Sequence, residues 1–265
     1  MAWLVKTDNI TGANFWGRHS GTSSDSPSVW QSYICLAIVL CLVTLSTLGC
    51  DSTPTRQPET RSIVIQQPPR ARLTYVAIGA SDTFGEGADD PQTQSWPVDL
   101  AAKLGSGVRL VNLGIPGITL HVALDVEAPV ALDAHPNLVT IWLAVNDLAD
   151  AVPVASYARD LDLLVSQLQR AAPHARMAIA NVPDLTLLPY FSATDPQNLY
   201  SKIQDYNAAI ASVVQLHHIL LVDLHAQWRE LRNHPEDISS DGLHPSTLGY
   251  TLIAQLFYQT LQVSP

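Results

Sequence analysis

Short apolar runs alternate with amphipathic stretches along the chain after residue 72, and this alternation limits the possible folds. The runs are Leu73–Ile78, Val108–Leu113, Leu138–Val145, Met177–Val182 and Ile219–Leu224. Each run has the length and apolar character of one buried strand. Because strands that alternate with helices form βαβ units, the pattern predicts an α/β fold with a central parallel sheet of about five strands, covered by helices on both faces.

Helices are predicted where apolar residues recur at helical spacing on one face. The predicted helices are Trp96–Leu104, Val154–Leu168, Leu199–Leu216 and Ser246–Leu261. Between the second and third of them, the segment from Leu185 to Gln197 contains Pro189 and Pro196, which discourage a continuous helix. We therefore expect this segment to be irregular and to form a mobile rim beside a functional site.

The first 50 residues are predicted to be a targeting segment. There is no charged residue from Ser26 to Cys50, and Ile34–Val43 is wholly apolar. That length suits a signal-peptide core better than a bilayer span of about 20 apolar residues. A small residue followed by Cys50 at its end resembles the bacterial lipoprotein signal, in which the cysteine is lipidated. The alternatives are an uncleaved N-terminal helix anchor and a secreted form. A lipidated cysteine and a helix anchor would both place the protein outside the cytoplasm and at a membrane.

Residues 51–71 are rich in Pro, Thr, Gln and Arg and have no sustained periodicity, which predicts an extended tether. The folded domain is expected to comprise residues 72–265. The three cysteines of the chain, Cys35, Cys41 and Cys50, all precede it. The domain therefore has no disulfide, no thiolate nucleophile and no cysteine-based zinc site. The formal net charge of −10 argues against a nucleic-acid partner, whose phosphates need a basic surface.

Polar residues and a glycine follow the predicted strands at their ends. Ser81 follows the first strand, Gly114 the second and Asn146 the third, while Asp241 and His244 come after the fifth. In a parallel sheet these ends meet at one edge, where open α/β folds bind their ligands. The edge would offer a hydroxyl, an imidazole, a carboxylate, an amide and a backbone N–H. These are the groups that acyl transfer through a serine requires.

Each of these residues also has a simpler interpretation. A serine after a strand often caps the next helix, and an isolated Asp-x-x-His pair can be a surface cap. A metal cluster can be imagined from His234, Glu236, Asp237 and His244, but their spacing matches no helical ligand pattern. No lysine follows the glycines of the turn at 79–87, as a phosphate-binding loop would need. We therefore predict neither a metal nor another cofactor.

From Leu73 to the C-terminus the chain resembles the SGNH hydrolases, also called the GDSL esterase/lipase superfamily. The four sequence blocks of that family occur here in the family's order, with Ser81 in the first, Gly114 in the second, Asn146 in the third, and Asp241 with His244 in the last. The resemblance implies a three-layer α/β/α, flavodoxin-like sandwich for residues 72–265. It also implies a serine ester hydrolase that needs no cofactor.

The resemblance assigns a role to each residue. Ser81 is expected to be the nucleophile, His244 its base, and Asp241 the group that orients the imidazole. The expected oxyanion donors are the backbone N–H groups of Ser81 and Gly114 and the side-chain amide of Asn146. Substrates of the family include acetylated sugars, lysophospholipids, short-chain esters and thioesters. A small-molecule ester of a lipid or carbohydrate is therefore the expected binding partner.

Two positions depart from the usual sequence of the family. Gly-Ala80-Ser-Asp82 stands where Gly-Asp-Ser-Leu is usual, and Ala144 stands where glycine is usual. The first change is expected to alter how the turn is held, and the second to narrow the site by one methyl group. Both leave open the alternative of a non-catalytic ligand-binding lipoprotein on the same fold. An apolar rim of Leu187, Leu188, Tyr190 and Phe191 slightly favours an acyl chain over a bare sugar as its neighbour.

Overall fold

A central parallel sheet organises the computed structural model, which describes residues 71–228 and 234–263. Its five strands lie in the order β2-β1-β3-β4-β5, and all neighbouring pairs are parallel. The strands are β1 (Leu73–Gly79), β2 (Val108–Asn112), β3 (Leu138–Trp142), β4 (Arg176–Ala180) and β5 (Leu220–Val222). The predicted α/β fold with a five-stranded parallel sheet flanked by helices is confirmed.

Helices connect the strands and cover the sheet. Within the described residues they are α1 (Ser81–Phe84), α2 (Pro91–Gln94), α3 (Trp96–Leu104), α4 (Leu120–Val126), α5 (Ala128–Asp133), α6 (Val145–Ala149), α7 (Val154–Ala171), α8 (Pro196–His217), α9 (Leu224–Gln227) and α10 (Thr247–Val263). Short 3₁₀ turns are formed by Leu185–Leu187, Pro189–Phe191 and Pro235–Asp237. Helix α3 packs against α10, and α7 packs against α8.

The core is apolar on both sides of the sheet because helices cover both faces of its central strands. All five residues of β3 are buried, as are the last five of β1. Between α3 and α10, the rings of Trp96 and Phe257 stack with centroids 4.3 Å apart. The ring of Trp142, the last residue of β3, is inclined by 65° to that of Trp96, with centroids 6.3 Å apart. The aromatic contacts thus join the helices to the strand end that lies beside the candidate site.

Several element boundaries differ from the sequence-based predictions. Strand β3 ends at Trp142, because the backbone turns there and Val145 already begins α6. Strand β5 ends at Val222, because the Asp223 side chain accepts a hydrogen bond from the N–H of Ala226 and caps α9. Helices α4 and α5, between β2 and β3, were not predicted at all. The irregular segment 185–197 consists of two 3₁₀ turns, followed by α8 from Pro196.

The predicted targeting segment at 1–50, including Cys50, lies outside the described residues, as does the tether except for its last residue. In the part of the chain that the structure does describe, no helix combines the length and the apolar character needed to cross a membrane.

Candidate active site

Three side chains that the sequence singled out meet at the carboxyl edge of the sheet. Ser81 begins α1 directly after β1, whereas Asp241 and His244 lie in the loop before α10. The Oγ atom of Ser81 lies 2.9 Å from Nε2 of His244. On the other side of the ring, Nδ1 of His244 lies 2.7 Å from Oδ2 of Asp241. These distances form one continuous hydrogen-bonded chain from hydroxyl to imidazole to carboxylate.

Local hydrogen bonds hold Asp241 in place for this contact. Its Oδ1 accepts the backbone N–H groups of Leu243, at 2.7 Å, and of His244, at 3.0 Å. Partial burial acts to raise the pKa of Asp241, but the hydrogen bonds from the His244 ring and these backbone groups outweigh it, and the pKa lies below its ordinary value. The carboxylate is therefore ionised and accepts a hydrogen bond from the Nδ1–H of His244, which leaves Nε2 free to accept the proton of Ser81.

A tight turn presents Ser81 at the end of β1. The carbonyl oxygen of Ala80 accepts the N–H groups of Thr83 and Phe84, so the chain reverses immediately around the serine. Gly79 allows this turn because a Cβ at that position would lie 2.0 Å from Oγ1 of Thr83 and 2.8 Å from the carbonyl oxygen of Trp142. The close approach of α1 to the strand end thus requires glycine before Ala80.

Two further carboxylates face the histidine, and sequence reasoning gave no role to either. Oε2 of Glu86 lies 3.8 Å from Nε2 of His244. Burial raises the pKa of Asp82 to about 6; His244 opposes this shift, while Asp241 and Glu86 add to it. The position of Asp82 directly after the serine was the available signal for its presence at the site.

Asn146 lies in α6 and lines the cavity next to the serine. One hydrogen of its side-chain amide is donated to the carbonyl oxygen of Ile118 at 2.9 Å, so the second remains available. The backbone N–H of Ser81 has no hydrogen-bond partner among the described residues. Asn146, Ser81 and His244 line the same small cavity. Two of the three predicted oxyanion donors therefore lie at this cavity with an uncommitted N–H.

Gly114 is differently placed. Its N–H donates to Oδ1 of Asn112 at 3.0 Å and is therefore already engaged. A Cβ at Gly114 would lie 2.2 Å from the backbone nitrogen of Phe84, which gives this glycine a packing role against α1. The donor expected from Gly114 is thus not free, because the chain turns back on β2 and Asn112 takes up the N–H.

Gly117, three residues later, was not singled out from the sequence, but its backbone N–H is free within the described part of the chain. It has a φ of +77°, and no described residue accepts its N–H. The adjoining backbone is fixed from α6: Asn146 binds Ile118, and both carboxylate oxygens of Asp147 accept the N–H of Leu120, at 3.0 and 3.2 Å. The second glycine of the Asn-Leu-Gly-Ile-Pro-Gly stretch was the signal in the sequence that could have identified it.

The cavity at the serine is small, with a volume of about 30 Å³. Both departures from the family's usual sequence border it, because Ala80 and Ala144 are part of its wall together with Trp142. A space of this size holds one small group, such as a methyl or a water molecule.

The chain is similar to known proteins in sequence and in fold. Residues 77–252 match the GDSL-like Lipase/Acylhydrolase family. No curated protein matches the chain. Similar solved structures include LAE5, an alpha/beta hydrolase enzyme from the metagenome of Lake Arreo, Spain, at 22% identity and a TM-score of 0.60, covering 73% of this chain and 96% of that one.

Two other solved structures are similar to the same extent. The lipase/acylhydrolase from Enterococcus faecalis is 22% identical with a TM-score of 0.59, covering 72% of this chain and 95% of its own. The Clostridium thermocellum family 3 carbohydrate esterase is 22% identical with a TM-score of 0.57 at the same coverages, 72% and 95%. These likenesses show a shared fold, whereas the family match extends over more than half of the sequence. The chain therefore belongs to the GDSL-like lipase/acylhydrolase family of ester hydrolases.

Proposed function

We propose that this protein hydrolyses carboxylic esters through an acyl-serine intermediate. Ser81 Oγ attacks the ester carbonyl while His244 Nε2 takes its proton, and the same proton then leaves with the alcohol. A water molecule, activated by His244, next hydrolyses the acyl-serine and restores the hydroxyl. Asp241 keeps the imidazole oriented and stabilises its cation in both steps. The proposal is carried by the hydrogen-bonded chain of 2.9 and 2.7 Å that links the three side chains.

The tetrahedral intermediate carries a negative oxygen that needs preorganised donors. We assign this role to the backbone N–H of Ser81, the side-chain amide of Asn146 and the backbone N–H of Gly117. Gly117 replaces Gly114 in this proposal because the N–H of Gly114 is already donated to Asn112. The hydrogen bond from Asn146 to the carbonyl oxygen of Ile118 keeps the side-chain amide of Asn146 next to the loop that carries Gly117.

The size of the cavity favours a small acyl group. A volume of about 30 Å³ is suited to an acetyl methyl group. One similar structure is a carbohydrate esterase, so acetylated carbohydrates are suitable first substrates.

We further propose an extracytoplasmic, membrane-attached location, supported by the apolar run before Cys50. Release of a Cys50→Ala variant from the membrane fraction, with attachment of the unmodified chain, is the expected result.

The first experiment uses a fluorophosphonate probe and the intact mass of the full chain. We expect a single covalent adduct, and no adduct on the Ser81→Ala variant. Turnover of p-nitrophenyl acetate should be lost in the same variant. A folded protein that forms no adduct and turns over no ester in a Ser81-dependent manner would instead be a ligand-binding protein on the same fold.

A further inference from the structure

A glutamate carboxylate lies beside the histidine that would pass a proton to the leaving alcohol. Oε2 of Glu86 is 3.8 Å from Nε2 of His244, the same ring nitrogen that lies 2.9 Å from Oγ of Ser81. The Glu86 side chain is 49% exposed, so molecules that enter the site from solvent can meet it. Of the described residues, His244 is its single ion-pair partner, and no lysine or arginine lines the catalytic cavity. No permanent cation of the described chain therefore neutralises this carboxylate.

Contacts from both halves of the site fix the backbone around Glu86. Its N–H donates a hydrogen bond to the carbonyl oxygen of Ser81 at 2.9 Å. Its own carbonyl oxygen accepts the hydroxyl of Tyr250 from α10. A Cβ at Gly87, where φ is +95°, would lie 2.8 Å from Cβ of His244, so the chain passes directly against the catalytic histidine. The fold therefore holds the backbone of Glu86 beside the histidine, and its side chain needs no long reach to face the reacting atoms.

The role of His244 in the proposed reaction determines where the leaving alcohol lies. Nε2 takes the proton of Ser81 and gives it to the alcohol oxygen, which must then lie about 3 Å from this nitrogen. The alcohol oxygen is therefore no farther than about 7 Å from Oε2 of Glu86. A substituent two or three bonds beyond that oxygen can reach the carboxylate, whereas the acyl group is bonded to Ser81. Glu86 is thus placed to act on the alcohol part of the ester.

We propose that Glu86 selects esters by the charge of their alcohol part, favouring an amino or quaternary ammonium group and disfavouring a phosphate or carboxylate. This inference rests on the proposed function and narrows its substrate class. The neighbouring acidic groups act in the same direction. Beyond the effect of burial, Asp241 and Glu86 both contribute to the raised pKa of Asp82, so the three carboxyl groups interact with one another. A negative charge on the alcohol would add to this repulsion, whereas a positive charge would relieve it.

The experiment compares two esters of similar shape that differ in one charge: acetylcholine, and 3,3-dimethylbutyl acetate, in which carbon replaces the ammonium nitrogen. We measure kcat/KM of the full chain and of its Glu86→Gln variant. In the unmodified protein at low salt, the ratio of the cationic to the neutral ester should exceed about threefold, and Glu86→Gln should lower it by about threefold or more. Raising NaCl from about 20 to about 500 mM should also lower the ratio of the unmodified protein, because salt screens exposed charges.

Glu236→Gln is the matched control. Glu236 is 54% exposed and its Oε1 lies 3.1 Å from Nδ1 of His234, but it does not line the catalytic cavity. The ratio of this variant should stay within about twofold of that of the unmodified protein. Since a glutamine side chain still accepts hydrogen bonds, a fall that is confined to Glu86→Gln reports the lost charge rather than a lost acceptor.

The outcomes separate this inference from the proposed function. A smaller ratio in the unmodified protein, or a smaller fall in Glu86→Gln, overturns the inference, while Ser81-dependent hydrolysis of the neutral ester upholds the proposed function. If Glu86→Gln does not fold, the salt series of the unmodified protein decides, and a ratio that does not fall with added NaCl overturns the inference. Absence of Ser81-dependent turnover of both esters and of p-nitrophenyl acetate would overturn the inference and the proposed function together.

Discussion

The carboxyl group of Glu127 is buried next to the end of β1, the strand that leads to Ser81. Its Oε1 accepts the N–H of Gly79 at 3.3 Å, whereas its Oε2 is buried without a hydrogen-bond partner among the described residues. Burial raises the pKa of Glu127 to about 8, and the hydrogen bond from Gly79 offsets only part of this shift. The side chain is therefore largely protonated at neutral pH, and its ionisation works against the fold.

This predicts how stability depends on pH. A carboxyl whose pKa is higher in the folded than in the unfolded state loses its proton more readily on unfolding, so the free energy of unfolding falls as the pH rises from about 4.5 to about 8. Glu127→Gln cannot ionise and should remove this decline. Compared with the unmodified protein, we expect similar stability at pH 5 and a gain of at least about 1.4 kcal/mol at pH 8.5, measured by urea unfolding. Parallel pH profiles for the two proteins would contradict the assignment.

Asp241 makes a separate prediction at the same scale. In Asp241→Asn the side-chain oxygen can still accept the N–H groups of Leu243 and His244, so the loop should keep its shape. The ring loses its ionised partner, and kcat with p-nitrophenyl acetate should fall by roughly 10²- to 10⁴-fold. The control is Asp162→Asn, which alters a comparable contact of 2.6 Å to His217, a residue that does not line the catalytic cavity. Equal losses in the two variants would argue against a catalytic role for Asp241.

Among the structural elements, the five-residue helix α6 holds the loop around Gly117 in place, a role that was not predicted from the sequence. Asn146 holds the carbonyl of Ile118, and Asp147 holds the N–H of Leu120, so neighbouring residues of one short helix fix the backbone next to Gly117. Burial raises the pKa of Asp147 to about 6; the N–H of Leu120 opposes this shift. The helix thus positions the loop that is proposed to supply one oxyanion donor.

Two substitutions of Asp147 should distinguish the effect of its hydrogen bond to the Leu120 N–H from the effect of its charge. Asp147→Asn keeps an acceptor for Leu120, and we expect kcat/KM to stay within about threefold of the unmodified protein. Asp147→Ala leaves that N–H buried without an acceptor and releases the loop, so kcat should fall by about 10-fold or more with little change in KM. Steady-state kinetics with p-nitrophenyl acetate measures both. A loss confined to KM would mean that the loop binds substrate rather than the oxyanion.

The strands and helices that have a strong pattern of apolar residues were predicted from the sequence. The five apolar runs all contain strands, and α3 has the predicted bounds. Helices α4 and α5 were not predicted; they are only seven and six residues long, and α5 contains Pro129 in its first turn, where a helix tolerates proline. The meeting of Ser81, Asp241 and His244 followed from strand ends that share one edge. The hydrogen bond from the N–H of Gly114 to the side chain of Asn112 could not be predicted in this way, because it depends on how the loop turns.

The whole molecule brings together residues from distant parts of the chain. Ser81 follows the first strand and His244 precedes the last helix, so that 163 positions separate two atoms 2.9 Å apart. The parallel sheet between them and the packing of α3 against α10 connect these parts. Labelling of Ser81 by a fluorophosphonate therefore reports on the integrity of the fold as well as on local chemistry.

A substitution far from the serine should test this dependence. Phe257 in α10 is fully buried and stacks on Trp96, so Phe257→Ala should lower the free energy of unfolding by about 3–5 kcal/mol. Leu252→Ala, in the same helix at a position 52% exposed, is the control and should cost far less. In urea, loss of Ser81 labelling should coincide with loss of helical circular dichroism in each protein, and both transitions should shift together in Phe257→Ala. If labelling disappears at a lower urea concentration than the helical signal, the loop carrying His244 opens separately from the sheet, and the site is less stable than the fold that supports it.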